Sequence, residues 1–239
     1  MKSLLLLLTL GKLGKFLASM GSMIISLATY SLVFGWRYAL GLVSLLLVHE
    51  LGHYVAACRR GLDVGLPTFI PFVGAWIELK EQPLDAETEA FVAIAGPMLG
   101  SLAAYLFYLF SSGEDSALWT ALAHAGFMLN LFNLIPLSPL DGGRIVSVVS
   151  PKLWLLGLPI LIVVFFWRPS PILLVIAILA VPNLWTLYRN WDQSTSRYYR
   201  TEYRTRIQFG AEYILLIIFL AILCLETHEK LAHVRAAFS

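Results

Sequence analysis

The sequence predicts an all-α membrane protein with about six to seven transmembrane helices. Hydrophobic residues make up 59% of the 239 residues and charged residues only 13%, whereas a soluble domain carries roughly 25% charged residues. The apolar residues lie in long unbroken runs, several of them near the ~20 residues that a helix needs to cross a bilayer. Because lipid offers the backbone no hydrogen-bond partners, and the runs lack the alternation of a barrel, they are predicted to be helices.

Seven apolar runs are candidate spans. The fifth run is short, and the third begins beside Glu89, which we expect at the membrane interface. An additional N-terminal run, Leu4–Leu10, is predicted to be an uncleaved segment that lies on the membrane or crosses it, because no small-residue cleavage site follows. The seven runs are Leu17–Phe34, Tyr38–Cys58, Thr88–Phe110, Leu118–Leu137, Leu153–Trp167, Pro171–Tyr188 and Phe209–Leu225.

The distribution of positive charge predicts the orientation. With the N-terminus in the cytoplasm, only four of the 17 Lys and Arg residues fall on the opposite side, namely Arg37, Arg168, Lys230 and Arg235. Cytoplasmic segments of membrane proteins are enriched in Lys and Arg, so this threading is favoured. We expect a multi-pass protein of a cell (inner) membrane. The net charge of +2 gives no indication of nucleic-acid binding.

Two segments between the spans are not simple helices. Between residues 61 and 86, Pro67, Pro71 and Pro83 exclude a long helix. The apolar, glycine-punctuated stretch Phe69–Leu79 within it is predicted to form a small β-ribbon or a re-entrant segment between the second and third spans. The polar, arginine-rich stretch 189–208 is predicted to be a cytoplasmic loop or a surface helix.

The sharpest motif is His49-Glu50-Leu51-Gly52-His53 in the second span. Residues four apart share one face of a helix, so the two imidazoles can converge on one metal ion, while Glu50 can take a proton from water. Ionisable residues inside a membrane are costly and usually functional. The alternative is a pair of interfacial histidines with Glu50 bonded to a polar neighbour, which leaves three costly groups unexplained.

A catalytic zinc ion usually has three protein ligands and one open position. The best third candidate is Asp141, which follows Asn133 in the segment Asn-Leu-Ile-Pro-Leu-Ser-Pro-Leu-Asp-Gly-Gly-Arg. Pro136 and Pro139 break the fourth span at the depth where the second span carries its histidines. Asp141 either ligates the metal or caps a helix beginning near Gly142, and spacing alone leaves both open.

The two motifs together resemble the site-2 protease family of intramembrane zinc metalloproteases (peptidase family M50-like). The resemblance implies that His49, His53 and Asp141 bind one Zn²⁺ ion per chain and that Glu50 is the general base. It also implies that Asn133 holds the scissile peptide or stabilises the oxyanion. The implied partners are transmembrane protein substrates and the bilayer, and the implied organisation is a single domain over residues 1–239 with a catalytic core at about 38–150 and C-terminal spans over 151–239.

Two further elements carry the resemblance, and one position departs from it. Gly96-Pro97 in the third span is similar to a family glycine-proline element, and the stretch 71–75 is similar to a membrane-associated β-segment. The family often has Asn three residues after the glycine-proline pair, where this chain has Gly100. The polar contact expected at that position is therefore in question, but the metal ligands are not.

Other residues and functions compete with this interpretation. His124 lies 17 residues before Asp141, about 25 Å along a helix, so we expect it to be a hydrogen-bonded packing residue. His228 and His233 are predicted to lie in a polar tail after the last span. The alternative functions are a catalytically silent membrane protein that binds transmembrane helices and a metal transporter, although transport does not require Glu50 beside the first ligand.

Overall fold

The computed structural model describes residues 2–72, 74–76, 83, 85–112, 116–167, 169–189 and 197–237. Arg168 and residues 73, 77–79 and 190–196, which take part in the predictions above, lie outside the described residues. The predicted all-α class is confirmed. The helices are α1 (Lys2–Phe34), α2 (Trp36–Arg59), α3 (Ala86–Leu109), α4 (Ser116–Asn133), α5 (Asp141–Val149), α6 (Trp154–Trp167), α7 (Pro171–Arg189) and α8 (Tyr203–Ala237).

Five helices of the described part are long and apolar enough to cross a membrane. They are the ranges Leu13–Phe34, Trp36–Arg59, Ala86–Leu109, Pro171–Arg189 and Tyr203–His233. The predicted fourth and fifth spans correspond to α4, with 18 residues, and to α6, with 14. His124 and two asparagines make α4 less apolar than the other long helices, and its length is just short of the ~20 residues of a full span.

A small β-ribbon lies between α2 and α3, as predicted. Strands β1 (Thr68–Ile70) and β2 (Gly74–Trp76) pair antiparallel, with Thr68 opposite Trp76. Helix α1 holds the ribbon through polar side chains. The hydroxyl of Ser19 donates to the carbonyl of Pro67 at 2.5 Å, Ser22 Oγ accepts from the Phe69 backbone at 3.1 Å, and Tyr30 Oη accepts from the Phe72 backbone at 2.9 Å.

The main core is formed by α2, α3, α4, α5 and α8. Small residues let these helices approach closely, since Ala90 and Ala93 of α3 are fully buried. At the α2–α3 contact, a Cβ added to Gly52 would lie 2.4 Å from the carbonyl oxygen of Ala95. Close packing between small residues is a common basis of helix association in membranes. It places the His49–His53 face of α2 directly against α3.

The chain between α4 and α5 is irregular, as the two prolines predict. Neighbouring elements bond the backbone here: Tyr213 of α8 donates its hydroxyl to the carbonyl of Leu134 in the break at 2.5 Å, and Trp154 Nε1 donates to the carbonyl of Gly143 in the first turn of α5 at 2.7 Å. Gly143 permits the tight return, because a Cβ there would lie 2.2 Å from the Ser138 nitrogen. The break therefore sits inside the protein.

Helices α6 and α7 pack against each other and enclose a second apolar cluster with Ile135 and Leu137 of the α4–α5 connection. The last span is predicted to end at Leu225, with His228 in a polar tail, and the described helix extends beyond both residues. Helix α8 continues to Ala237, because its polar side chains find partners on the bundle. Thr227 is bonded to His124 at 3.0 Å, and the rings of His124 and His228 lie 5.7 Å apart.

The substitution Gly52→Ala should destabilise the protein by about 1–3 kcal/mol, because the added methyl group meets the α3 backbone, which cannot move away as a side chain can. Thermal unfolding in detergent micelles measures the loss. Gly21→Ala in α1 is the matched control, since nothing lies within 4 Å of a Cβ at that position. Equal unfolding temperatures for the two variants would contradict the close contact between α2 and α3.

Candidate metal centre

The two histidines of α2 lie on one buried face of the helix. His49 is 3% exposed, and its Nε2 atom lies 3.1 Å from Nε2 of His53. The four-residue spacing produces this juxtaposition, because residues i and i+4 are neighbours along a helix surface. The imidazoles therefore converge as the motif predicts.

Asp141 at the start of α5 completes a cluster with the two histidines. Its Oδ2 atom lies 3.3 Å from Nε2 of His49 and 3.3 Å from Nε2 of His53. The residue at the N-cap of α5 is Leu140, which makes no side-chain capping bond. Of the two roles left open by spacing, the geometry favours the metal ligand, because the carboxylate faces the imidazoles.

Hydrogen bonds on the far side of each ring assign the imidazole tautomers. Asn130 Nδ2 donates to the carbonyl of Gly126 at 2.7 Å, so its Oδ1 atom faces His49 Nδ1 at 2.8 Å and must accept from it. His53 Nδ1 donates to the carbonyl of Val92 at 2.9 Å. Both Nδ1 atoms thus carry a proton, and the Nε2 atoms, which face Asp141, are left as the positions that can ligate a metal. Metal-ligating histidines are held by outer-shell bonds of this kind.

The donor set fits a tetrahedral zinc ion. Ligand atoms at ~2.1 Å from zinc and at tetrahedral angles lie about 3.4 Å from one another. The three pairs in the cluster are separated by 3.1, 3.3 and 3.3 Å. Two lone pairs and a carboxylate oxygen at such distances repel one another unless a positive charge lies between them. Two imidazoles and one carboxylate, with a fourth position open, form a ligand set of catalytic zinc sites.

Glu50 is 5% exposed and next to His49 in the chain. Its carboxylate forms no hydrogen bond with any other residue that the structure describes. A buried carboxylate beside the metal ligands and without a donor of its own is available to accept a proton. The alternative interpretation of the motif has Glu50 bonded to a polar neighbour. These contacts do not support it.

Asn133, the last residue of α4, lies at the edge of the cluster. Its Nδ2 atom is 3.4 Å from Nε2 of His49, the atom that faces the metal position. The structure thus brings together all five residues predicted for the site, His49, Glu50, His53, Asn133 and Asp141. A metal ion on His49 would take up that lone pair, and the Asn133 amide could then donate to a group bound beside the metal.

Two glycines of α3 make room for the cluster. A Cβ on Gly96 would lie 2.2 Å from His53 Nε2, so only glycine lets the imidazole lie against α3. A Cβ on Gly100 would lie 2.5 Å from Asn130 Oδ1. The departure noted at Gly100 therefore has a physical reason: the space beside α3 is filled by an asparagine from α4.

Asn130 is the functional residue that the sequence analysis missed. It is 1% exposed, and it orients the first histidine. A buried amide within an apolar helix is costly unless it is bonded, which was the signal available in the sequence. His124, in contrast, bonds Thr227 and takes no part in the cluster, as predicted.

Comparisons with known proteins show which peptidases the chain is similar to. A model of peptidase family M50 matches residues 37–115, a range that holds the two histidines and Glu50 but not Asp141. One similar protein is the zinc metalloprotease MJ0392 of Methanocaldococcus jannaschii, which is 30% identical over an alignment that covers 54% of this chain and 38% of the relative. Another is the putative zinc metalloprotease Rip3 of Mycobacterium tuberculosis, which is 33% identical over an alignment that covers 49% of this chain and 33% of the relative. The chain is therefore similar to peptidase family M50 over the part that carries His49, Glu50 and His53.

A third relative is the probable chloroplastic zinc metalloprotease EGY1 of Arabidopsis thaliana, which is 28% identical over an alignment that covers 46% of this chain and 28% of the relative. The chain spans about a third of the length of the curated relatives it matches, with shares between 28% and 38%. These matches confirm the resemblance to the site-2 protease family that the two sequence motifs indicate.

The substitution Asn130→Ala should weaken zinc binding about 10- to 100-fold, because outer-shell partners of ligating histidines typically have effects of this size. Competition with a chromophoric chelator measures the affinity. Asn130→Asp keeps an oxygen acceptor for His49 Nδ1–H and should retain most of the affinity. If the alanine variant binds zinc as tightly as the parent chain, Asn130 does not orient His49.

Proposed function

We propose that the chain is an intramembrane zinc metalloprotease that hydrolyses peptide bonds in or near transmembrane segments of membrane proteins. The observation that carries the proposal is the convergence of three acceptor atoms at 3.1–3.3 Å, with Glu50 buried beside them. The relatives named as zinc metalloproteases support the same metal and reaction class. His49, His53 and Asp141 are the proposed ligands of one Zn²⁺ ion per chain.

Bound zinc supplies Lewis acidity, which polarises a peptide carbonyl and makes water acidic near neutral pH. Glu50 accepts the proton of the attacking water and then delivers it to the nitrogen of the departing amine. Its burial and its freedom from hydrogen bonds to described residues suit this shuttle. The bonds to Asn130 and Val92 keep both imidazoles in the ligating tautomer throughout.

Asn133 is the proposed donor to the substrate carbonyl. Its amide lies 3.4 Å from the Nε2 atom with which His49 would hold the zinc ion, and from there it would donate to the carbonyl oxygen of a substrate bound beside that atom. A preorganised donor aimed at a developing negative charge stabilises the transition state more than the ground state.

The position of the centre supports substrates that lie in the membrane. The ligands come from α2, an apolar helix of 24 residues, and from α5, which follows the break after α4. A helical peptide keeps its carbonyls in intrahelical bonds, so the substrate helix must unwind before cleavage. The β1–β2 ribbon beside the site is the proposed edge on which an extended segment pairs. The charge bias supports a cytoplasmic active site and N-terminus.

The alternative functions fit less well. A transporter needs metal ligands, but it has no need for a second carboxylate that stands beside the first ligand and makes no hydrogen bonds. A silent binding protein needs neither the ligands nor Glu50, whereas here His49, His53 and Asp141 lie in one cluster and Glu50 is buried next to His49 in the chain. Only hydrolysis uses every one of them.

The substitution Glu50→Gln should leave zinc content at one ion per chain and lower cleavage of model transmembrane peptides by at least about 100-fold, because general-base catalysis contributes 10²–10⁴. The purified chain in detergent serves for both measurements, by elemental analysis and by peptide mass spectrometry. Glu212→Gln on α8, whose carboxylate bonds Gln208, is the matched control with full activity. His53→Ala should lose zinc and cleavage together. Equal cleavage by the Glu50→Gln variant and the parent chain would exclude Glu50 as the base.

The substitution Asn133→Ala should lower kcat about 100- to 1,000-fold, the range for removing one oxyanion donor, while zinc content stays unchanged. Steady-state kinetics on the same peptides separates kcat from KM. A loss that appears as zinc release would instead identify Asn133 as support for His49.

A further inference from the structure

A cavity of about 210 Å³ lies at the end of α5 opposite Asp141. Its walls come from the last turn of α5, from the 3-10 turn Pro151–Leu153, and from two points on the arginine-rich segment before and within α8. The polar residues that line it are Ser147, Ser150, Lys152, Tyr199 and Arg206. None of these belongs to the metal centre.

The residues around the cavity are strongly basic. Lys152 and Arg206 both line it, and the segment 197–206 holds four arginines against a single acidic residue, Glu202, which is exposed. Fields of this sign raise the local concentration of anions. The cavity is thus suited to a negatively charged ligand.

Hydroxyl groups add neutral donors to the same walls. Ser150 Oγ accepts from the Lys152 backbone at 3.3 Å, which leaves its own O–H to donate. Burial, and then the carboxylate of Glu89, raise the pKa of Tyr199, so this hydroxyl stays protonated at neutral pH. Cations combined with hydroxyl donors are a common binding set for phosphate oxygens.

Arg206 carries an unused donor at this place. Its Nη2 atom donates to the carbonyl of Tyr199 at 3.1 Å. Its Nε atom is buried without a hydrogen-bond partner among the described residues, and so is Thr201 Oγ1 nearby in the chain. Buried donors in native proteins are nearly always bonded. Arg206 lines the cavity, and a small shift of its guanidinium would bring the Nε–H group to an anion there.

The position of the cavity along α8 suits a membrane interface. Arg206 lies in the first turns of the apolar range Tyr203–His233. Tyr203 and Ile207, on the same turns, are 78% and 54% exposed, which suits contact with lipid. Basic residues at such a position bind anionic headgroups.

We propose that this cavity binds a phosphate group, carried by a lipid headgroup or by a soluble phosphate compound, through Arg206, Lys152 and the neighbouring hydroxyls. The inference goes beyond the protease function and does not depend on zinc. Since α5 has nine residues, its ends are about 12 Å apart. A phosphate at one end would therefore hold the same short helix that presents Asp141 at the other.

Binding to the purified full chain in detergent tests the proposal, with native mass spectrometry as the readout. The probes are short-chain phosphatidylglycerol, the matching diacylglycerol without phosphate, and inorganic phosphate. Phosphatidylglycerol should bind and diacylglycerol should not. Arg206→Gln should weaken binding about tenfold, the effect of losing one charged hydrogen bond, whereas Arg204→Gln, an exposed arginine of the same turn, should change it less than about twofold.

The remaining outcomes are decisive as well. If inorganic phosphate binds as tightly as phosphatidylglycerol, the source is a soluble phosphate; if it does not, the source is a lipid. Arg206→Lys and Lys152→Gln provide the test if the glutamine variant at position 206 fails to fold. Equal binding by the parent chain, Arg206→Gln and Lys152→Gln, or no preference for phosphate over diacylglycerol, would overturn the proposal.

Discussion

The electrostatic conflict among three acceptor atoms is the constraint on which the rest of the structure depends. Two imidazole lone pairs and a carboxylate oxygen face one another at 3.1–3.3 Å inside an apolar bundle, where repulsion is weakly screened. Such an arrangement is stable only around a positive charge. Each proposed ligand is also fixed in its orientation. Hydrogen bonds to Asn130 and to the Val92 carbonyl orient His49 and His53, and the first turn of α5 positions Asp141.

Close packing supplies the geometry that the metal centre needs. The imidazole of His53 lies where a side chain on Gly96 would be, and the amide of Asn130 lies where a side chain on Gly100 would be. Lipid gives little hydrophobic driving force for association between helices, so their contacts rely on van der Waals packing and on hydrogen bonds. In this protein the same glycines that permit helix contact also admit the polar groups of the site.

The sequence was sufficient for the ligands and insufficient for what orients them. His49 and His53 follow from helix periodicity, the ribbon follows from Pro67 and Pro71, and the break after Asn133 follows from Pro136. Asn130 depends instead on how closely α4 approaches α2 and α3, which is a property of tertiary packing at Gly100 and Gly126. The continuation of α8 beyond Leu225 has a related cause, since Thr227 bonds His124 of α4 and the ring of His228 lies near that of His124 in the fold.

Helix α8 supports the site, although it lies outside the predicted catalytic core at about residues 38–150. The break after α4 frees carbonyls inside the apolar bundle, where each unbonded group costs several kcal/mol. Tyr213 of α8 bonds one of them at Leu134, and Tyr198, ahead of α8, donates to Glu89 at 2.5 Å, the residue that also pairs with Arg144 of α5. A metal centre built at an interrupted helix therefore requires a later segment to satisfy the interruption, and α8 with the turn before it provides that segment.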